Sequence, residues 1–345
     1  MPQDHTRTSI ARRFVLAGAM LLAPMLTGVA AAETPIKFSL FRYEGPVAPF
    51  LLALDKGYYK SEGLDVSFAT APGSLEPIDR VASGDYDMGI ADINTLIKRR
   101  DTNPGTPVKA VFMVYNRPPF AVIGRKSRGI NTPKDLEGKK LGAPTQDAAF
   151  AQWPIFVQVN GIDASKVTIE NVSFPVREPM LAAGQIDAIT GYSFSSFVNL
   201  KEKGVPVNDL SVLLMADYGV SLYGNAIMVS PKFAAEHPEA IKGFLRAFVK
   251  GLKETIKSPA AAVDSVLKRN EAATKSVELE RLTMAIHENI VTPEVKANGF
   301  GAVDSARFEH AIDQIALTYK FKAKPKADDI FDASYLPAAA ARKVN

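Results

Sequence analysis

One short phrase is written twice in this chain, and the repeat constrains the fold more than any bulk property. Gly84–Asp92 reads GDYDMGIAD, and one hundred residues later Gly184–Tyr192 reads GQIDAITGY. The order of elements around the two copies is the same. In the first, a β-prone run at Ile36–Phe41 predicts a strand. The turn RYEGP follows, and VAPFLLALDKGYYKSEG carries helical periodicity to Gly63. LDVSFA is a second strand, PGSLEPIDRVASG a loop and short helix stopped by Gly84, and YDMGIA a third strand. In the second copy KKLGA, AFAQWPIFVQVNG, KVTIENV, FPVREPMLAAG and IDAITGY repeat that order, with Pro154 near the first turns of its helix, where proline is tolerated. Gly63 then matches Gly161, Gly84 matches Gly184, and Asp87 matches Asp187. A glycine supplies the positive φ that ends each helix, and the apolar run after each Asp is buried strand. The pattern predicts two similar α/β halves.

After Tyr192 the pattern changes. SSFVNLKEKGV is a helix, SVLLMADYG leads into a strand, and GNAIMVS (Gly224–Ser230) is another. Pro231 opens a turn, and an amphipathic helix is expected from about Pro238 to Lys257. Helices continue to about residue 320. The tail carries one apolar patch, Ile330–Leu336, suited to packing on the first half. The chain is expected to pass to the second half at PFAVIGRKS (Pro119–Ser127) and to return at YGVSLYGNAIMV. Two crossings make a hinge, and the cleft beside a hinge is a common ligand site.

The 345 residues suit about two domains, and 47% apolar content fills a core in each. The net charge of +4 drops to about +2 without the first thirty-two residues, leaving 38 basic against 36 acidic side chains. With no long basic run, nucleic-acid binding has no support. There is no cysteine, so disulfides, Cys-based metal sites, Cys nucleophiles and a lipid-anchoring Cys are all excluded. The N-terminus reads as an export signal: RTSIARR, then the apolar FVLAGAMLLAPML, then TGVAAAE with cleavage expected after Ala32. Arg12-Arg13 leaves Sec and twin-arginine export both open. The mature protein is expected to be soluble and periplasmic.

The stretches LALDKGYYKSEGLDV, ASGDYDMGIAD, DLEGKKLGAP and GQIDAITGY resemble periplasmic substrate-binding proteins of ABC importers. The resemblance is to the nitrate, sulfonate, taurine and thiamine-pyrimidine-precursor group, and it covers the whole mature chain. It implies an α/β, type 2 periplasmic-binding-protein fold with two lobes on a two-crossing hinge: residues 33–124 plus 225–345 with the C-terminal helices, and 125–224. It also implies a small-molecule ligand, no cofactor, a monomer, and a permease and ATPase as partners. In such sheets the ligand sits at strand C-termini and helix N-termini.

Site candidates are therefore the strand-end loops. Phe41, Arg42 and Tyr43 follow the first strand, with Pro46-Val47 opening the next helix and Arg42 able to pair with an anion. Ala91, Asp92 and Asn94 follow the third strand; Asp92 either meets an amine or amidine or caps the helix after it. Thr145, Gln146 and Asp147 precede a helix on which Phe150 and Trp153 share a face. Thr190 and Tyr192 close the second copy of the repeat and Phe194 follows it, in TGYSFSS, and Tyr223 stands beside Gly224 and Asn225 on the returning crossing. Arg177-Glu178, ahead of a helix, either reach the cleft or pair with each other.

The set is rich in aromatics, which suit a flat ring held by a few polar groups. A small aromatic or heteroaromatic solute, such as a pyrimidine precursor of thiamine, is the expected ligand. A sulfonate, taurine or nitrate is the alternative, though Arg42 is the one strong cation among the candidates. The same family includes a pyrimidine synthase with a Cys-rich motif and a reactive His. This chain has no Cys, and His237, His287 and His310 all fall in the C-terminal helical part. No phosphate loop, metal-binding His pair or nucleophile elbow occurs, so binding without catalysis is expected.

Overall fold

The computed structural model describes residues 32–344, Thr106 excepted. The expected export signal lies outside these residues but for Ala32. Among the described residues, ten strands form two sheets. The first holds β1 (Thr34–Leu40), β2 (Leu64–Thr70), β3 (Met88–Asp92), β4 (Lys109–Met113) and β10 (Asn225–Val229), in the order β2-β1-β3-β10-β4. The second holds β5 (Phe120–Arg125), β6 (Lys140–Ala143), β7 (Thr168–Asn171), β8 (Ala188–Tyr192) and β9 (Leu210–Leu214), in the order β7-β6-β8-β5-β9. The orders match position by position. Four strands of each sheet run in one direction, and the fourth position in the order runs against both its neighbours: β10 in one, β5 in the other. The segments expected to carry the chain between halves thus end as interior strands of the sheets they enter.

The repeated phrase has a structural reason beyond helix termination. Gly84 and Gly184 do end helices Leu75–Ser83 and Phe174–Ala182 with φ of 82° and 73°. Each Asp that follows clasps the neighbouring parallel strand. Asp87 accepts from Lys37 N at 2.7 Å and returns its own N–H to Lys37 O at 3.0 Å. Asp187 does the same with Lys140, at 2.9 and 3.0 Å. One carboxylate therefore satisfies the first free amide of the adjacent strand and sets its register in both halves.

Two expectations are corrected. The helix expected through Gly63 is two pieces, Ala48–Asp55 and Tyr58–Ser61, because Gly57 turns the chain with φ 68°. Pro231 opens a short helix, Pro231–Glu236, capped by Ser230, whose Oγ accepts from Phe233 N at 3.1 Å. The long helix spans Pro238–Lys257 and lays Phe244 and Phe248 on Phe38 and Phe50, with centroids 5.1 and 4.3 Å apart. In the tail, Phe331 bridges to Ala110 and Asp332 N donates to Ala110 O, so the tail covers β4 at the sheet edge.

Among the described residues, no helix is long and apolar enough to cross a membrane, and no group of three metal-ligating side chains converges. The two crossings touch: Gly224 N donates to Tyr115 O, and Val114 N to Asn225 O, both at 2.9 Å. C-terminal residues clasp them from behind. Arg307 Nη2 donates to Asn116 O and to Leu222 O, each at 2.9 Å, and Asn289 exchanges two hydrogen bonds with the Arg117 backbone.

Candidate functional site

A cavity of about 130 Å³ opens between the two sheets, at the C-terminal ends of their strands. The first half contributes Phe41, Arg42, Glu44, Pro46 and Val47 after β1, Ala71–Ser74 after β2, and Tyr115 after β4. The second contributes Asp147 and Ala148 after β6, Phe174, Arg177 and Glu178 on the helix after β7, and Tyr192, Phe194, Ser195 and Asn199 at and after the end of β8. The duplicated order places like loops opposite one another, so aromatic rings from both halves form the walls. Phe194 stands edge-on to Tyr115 and Tyr192, with centroids 5.9 and 5.7 Å away. The Phe174 ring lies within cation–π range of two guanidinium groups, Arg42 of the first half at 5.6 Å and Arg177 at 5.3 Å.

The polar end is a buried network. Arg177 Nε donates to Glu178 Oε1 at 2.8 Å, Nη1 to Thr190 O at 3.1 Å and Asp147 Oδ2 at 3.4 Å, and Nη2 to Ser196 Oγ at 3.1 Å. Ser196 Oγ donates onward to Glu178 Oε1 at 2.8 Å, and Thr190 Oγ1 donates to Asp147 Oδ2 at 2.7 Å. Arg177 is 7% exposed, and Asp147 and Glu178 are each 3% exposed. Burial pushes the Asp147 carboxyl above its ordinary value, against the opposing pull of Arg177 and Thr190. Burial also pushes the Tyr192 phenol well up, and its OH donates to Asn225 Oδ1 across the cleft at 3.0 Å. The lining holds three carboxyl groups (Glu44, Asp147, Glu178) and two guanidinium groups (Arg42, Arg177). Such a lining suits a ring bearing N–H groups better than a bare anion.

The halves meet over the cavity. Ser195 Oγ donates to Glu44 Oε2 at 3.3 Å. Gly45 N donates to Glu278 Oε2 at 2.6 Å, while Arg281, paired with Glu278, reaches Asn199 of the opposite half. One C-terminal helix, Lys275–Ala285, therefore holds a cavity loop from each side.

Of the sequence candidates, Phe41, Arg42, Pro46, Val47, Asp147, Arg177, Glu178, Tyr192 and Phe194 line the cavity. The others stand elsewhere. Tyr43 packs on the first core and donates to Phe68 O. Asp92 is the helix cap, accepting from Asn94 N and Thr95 N at 3.2 and 2.9 Å. Asn94 is spent on Asp92 and Tyr223 O. Thr145 and Gln146 are exposed. Trp153, 6% exposed, is core beside Phe156, and Phe150 packs half-buried against the same cluster. Thr190 lies behind the wall, supporting Asp147. Tyr223 is fully buried, with its OH on Glu294 Oε1 at 2.6 Å. Arg177 and Glu178 sit inside helix Phe174–Ala182 rather than ahead of it, because Pro175 occupies the first turn, where its missing N–H costs nothing. Sequence reading passed over Tyr115 and Phe174. The signal for Phe174 was available: an aromatic one helical turn before a charged pair.

Comparison with known proteins agrees with this geometry. The family described as NMT1/THI5 like matches residues 45–262. The riboflavin-binding protein RibY of Chloroflexus aurantiacus is 30% identical over 63% of this chain, and the match spans 61% of that protein, less than two thirds of its length. The formylaminopyrimidine-binding protein of Halalkalibacterium halodurans is 27% identical, covering 88% of this chain and 91% of that one. The 4-amino-5-hydroxymethyl-2-methylpyrimidine phosphate synthase of Schizosaccharomyces pombe is 28% identical over 61% of this chain and 62% of its own. Among solved structures, the periplasmic aliphatic sulphonate-binding protein SsuA of Escherichia coli superposes with a TM-score of 0.69 at 14% identity, covering 88% of this chain and 94% of that one. The architecture is the α/β, type 2 periplasmic-binding-protein fold, two lobes on a two-crossing hinge. The duplicated sheets, the cleft between them and the match over residues 45–262 lead to one conclusion: this chain belongs to the NMT1/THI5-like family.

Proposed function

We propose that this protein is an extracytoplasmic solute receptor. It closes its two lobes on a small nitrogenous aromatic ring, of which a thiamine pyrimidine precursor is the leading example, and delivers it to an ABC permease and ATPase. The observation that carries this reading is the cavity itself: aromatic walls from both halves around a buried polar end with more carboxyl than guanidinium groups. Its size supports a single ring, since a cavity of about 150 Å³ holds one benzene. That size and charge favour a pyrimidine over a fused flavin or a sulfonate. The proposed lobes are residues 33–119 with 225–345, and 120–224, rather than with the break at 124–125 expected from the sequence, because β5 belongs to the second sheet and the chain crosses just ahead of it.

Binding requires only that ligand favour the closed form. A ring touching both lobes meets that condition, and the permease then reads the closed state. The receptor works as a monomer and without catalysis. In support, the chain has no Cys, and His237, His287 and His310 do not line the cavity.

Calorimetry with a panel tests the reading: 4-amino-5-hydroxymethyl-2-methylpyrimidine, its formylamino relative, riboflavin, taurine and nitrate. Micromolar or tighter binding of a pyrimidine is expected. Tight binding of taurine or nitrate with no response to any ring overturns it, and release of a modified pyrimidine would make the protein an enzyme.

A further inference from the structure

The two oxygens of the Glu178 carboxylate differ. Oε1 accepts from Arg177 Nε and Ser196 Oγ, both at 2.8 Å. Among the described residues, none donates to Oε2. The side chain is nevertheless buried and lines the cavity. Oε2 is not among the atoms sealed from solvent without a partner, so it opens to the cavity with its acceptor capacity unused by the protein and available to whatever enters. Its neighbours are more fully engaged. Arg177 spends four of its five N–H groups within the network, so it offers an anion no two-pronged clamp. Asp147 uses both oxygens, Oδ1 on Ala149 N at 3.1 Å and Oδ2 on Thr190 and Arg177. Phe174 lies four residues before Glu178 on the same helix, so the ring wall and the free oxygen share one face. A flat solute stacked on that wall presents its edge to Oε2.

We propose that Glu178 is the specificity-determining residue of this site: its Oε2 accepts an N–H from the edge of the bound ring, so the receptor selects amino-bearing heterocycles over the same ring without a donor. Arg177 is the positioning residue that fixes the Glu178 rotamer. The inference rests on the receptor reading above and adds which ligand group is read.

The test is a matched pair of probes, 4-amino-2-methylpyrimidine and 2-methylpyrimidine, titrated calorimetrically into the wild type and Glu178→Gln. The wild type should prefer the amine by about tenfold or more, the range for a hydrogen bond to a charged acceptor. Glu178→Gln should reduce that preference, read as the ratio of the two affinities within each protein, to about threefold or less. A third probe, 4-(dimethylamino)-2-methylpyrimidine, has no N–H and should bind the wild type no better than the unsubstituted ring, a result that needs no variant to fold. Equal wild-type affinity for all three rings overturns the role of Glu178 and leaves the receptor reading standing. So does a preference that Glu178→Gln leaves intact. Binding of no ring at all, with capture of taurine or nitrate, overturns both.

Discussion

The Arg307 guanidinium lies over the ring of Tyr223, 4.0 Å from its centroid, and also binds the carbonyls of Asn116 and Leu222. One side chain from the C-terminal helices thus holds both crossings. Arg307→Ala strips two buried carbonyls of their donor and is expected to lower stability by about 2–3 kcal/mol. Arg307→Lys should recover only part of this, because an ammonium lacks the planar fork. Urea unfolding checks both, and an unchanged midpoint would mean the crossings are held without Arg307.

Asp147 gives a pH signature. Burial raises its folded pKa above the ordinary 3.8, so the folded chain holds this proton more tightly than the unfolded chain. Its contribution to stability is therefore largest below that value and declines as pH climbs through the raised one. Arg177, Glu178, Thr190 and Tyr192 are the groups that face it. Asp147→Asn has no such dependence. The stability of the variant relative to wild type should improve between about pH 3 and about pH 8. Denaturant melts at both ends that showed a flat or opposite trend would mean Arg177 keeps the carboxylate charged.

Trp153 and Phe174 are both aromatic, and their substitutions should separate. Trp153→Ala opens a hole in the core and should cost about 3–5 kcal/mol of stability. Phe174→Ala, at the half-buried cavity wall, should cost about 1 kcal/mol of stability and weaken ring binding by about tenfold. Thermal melts and calorimetry on the two variants check the contrast; a selective affinity loss in Trp153→Ala would put that ring at the ligand.

Gly191 lets the Arg177 network lie against β8. A Cβ there would stand 2.3 Å from Ser196 Oγ and 3.2 Å from Arg177 Cζ. Gly191→Ala should push both aside, costing about 1–3 kcal/mol of stability, and should weaken the wild-type preference for an amino-bearing ring. The probe pair already described measures this; full retention of the preference would show that the network adapts to the methyl.

Much of the fold was legible because local signals repeat. Gly84 and Gly184 end equivalent helices, and the helix Pro238–Lys257 falls where its periodicity puts it. The site was legible only in part. Phe41, Arg42 and Tyr192 follow strands, and strand ends can be read from pattern alone. Tyr115 lies on a crossing whose path depends on contacts more than a hundred residues away, such as Gly224 N to its carbonyl. Trp153 belongs to the core because its helix turns it, with Phe156 on the same helix, into the cluster that holds Tyr223 and Phe308, a choice made by packing between elements distant in the chain. Asp87 and Asp187 were seen as a pair, but their work on Lys37 and Lys140 is visible only once the neighbouring strand is in place.

The exchange of β5 and β10 fixes an order of assembly. All five strands of the second sheet lie between residues 120 and 214, so that sheet can be completed from contiguous chain. The first sheet keeps a gap between β3 and β4 until Asn225–Val229 arrives. Although it begins at the N-terminus, its last strand comes later in the chain than any strand of the second sheet, so β4 has no neighbour in its sheet until residues 225–229 are present.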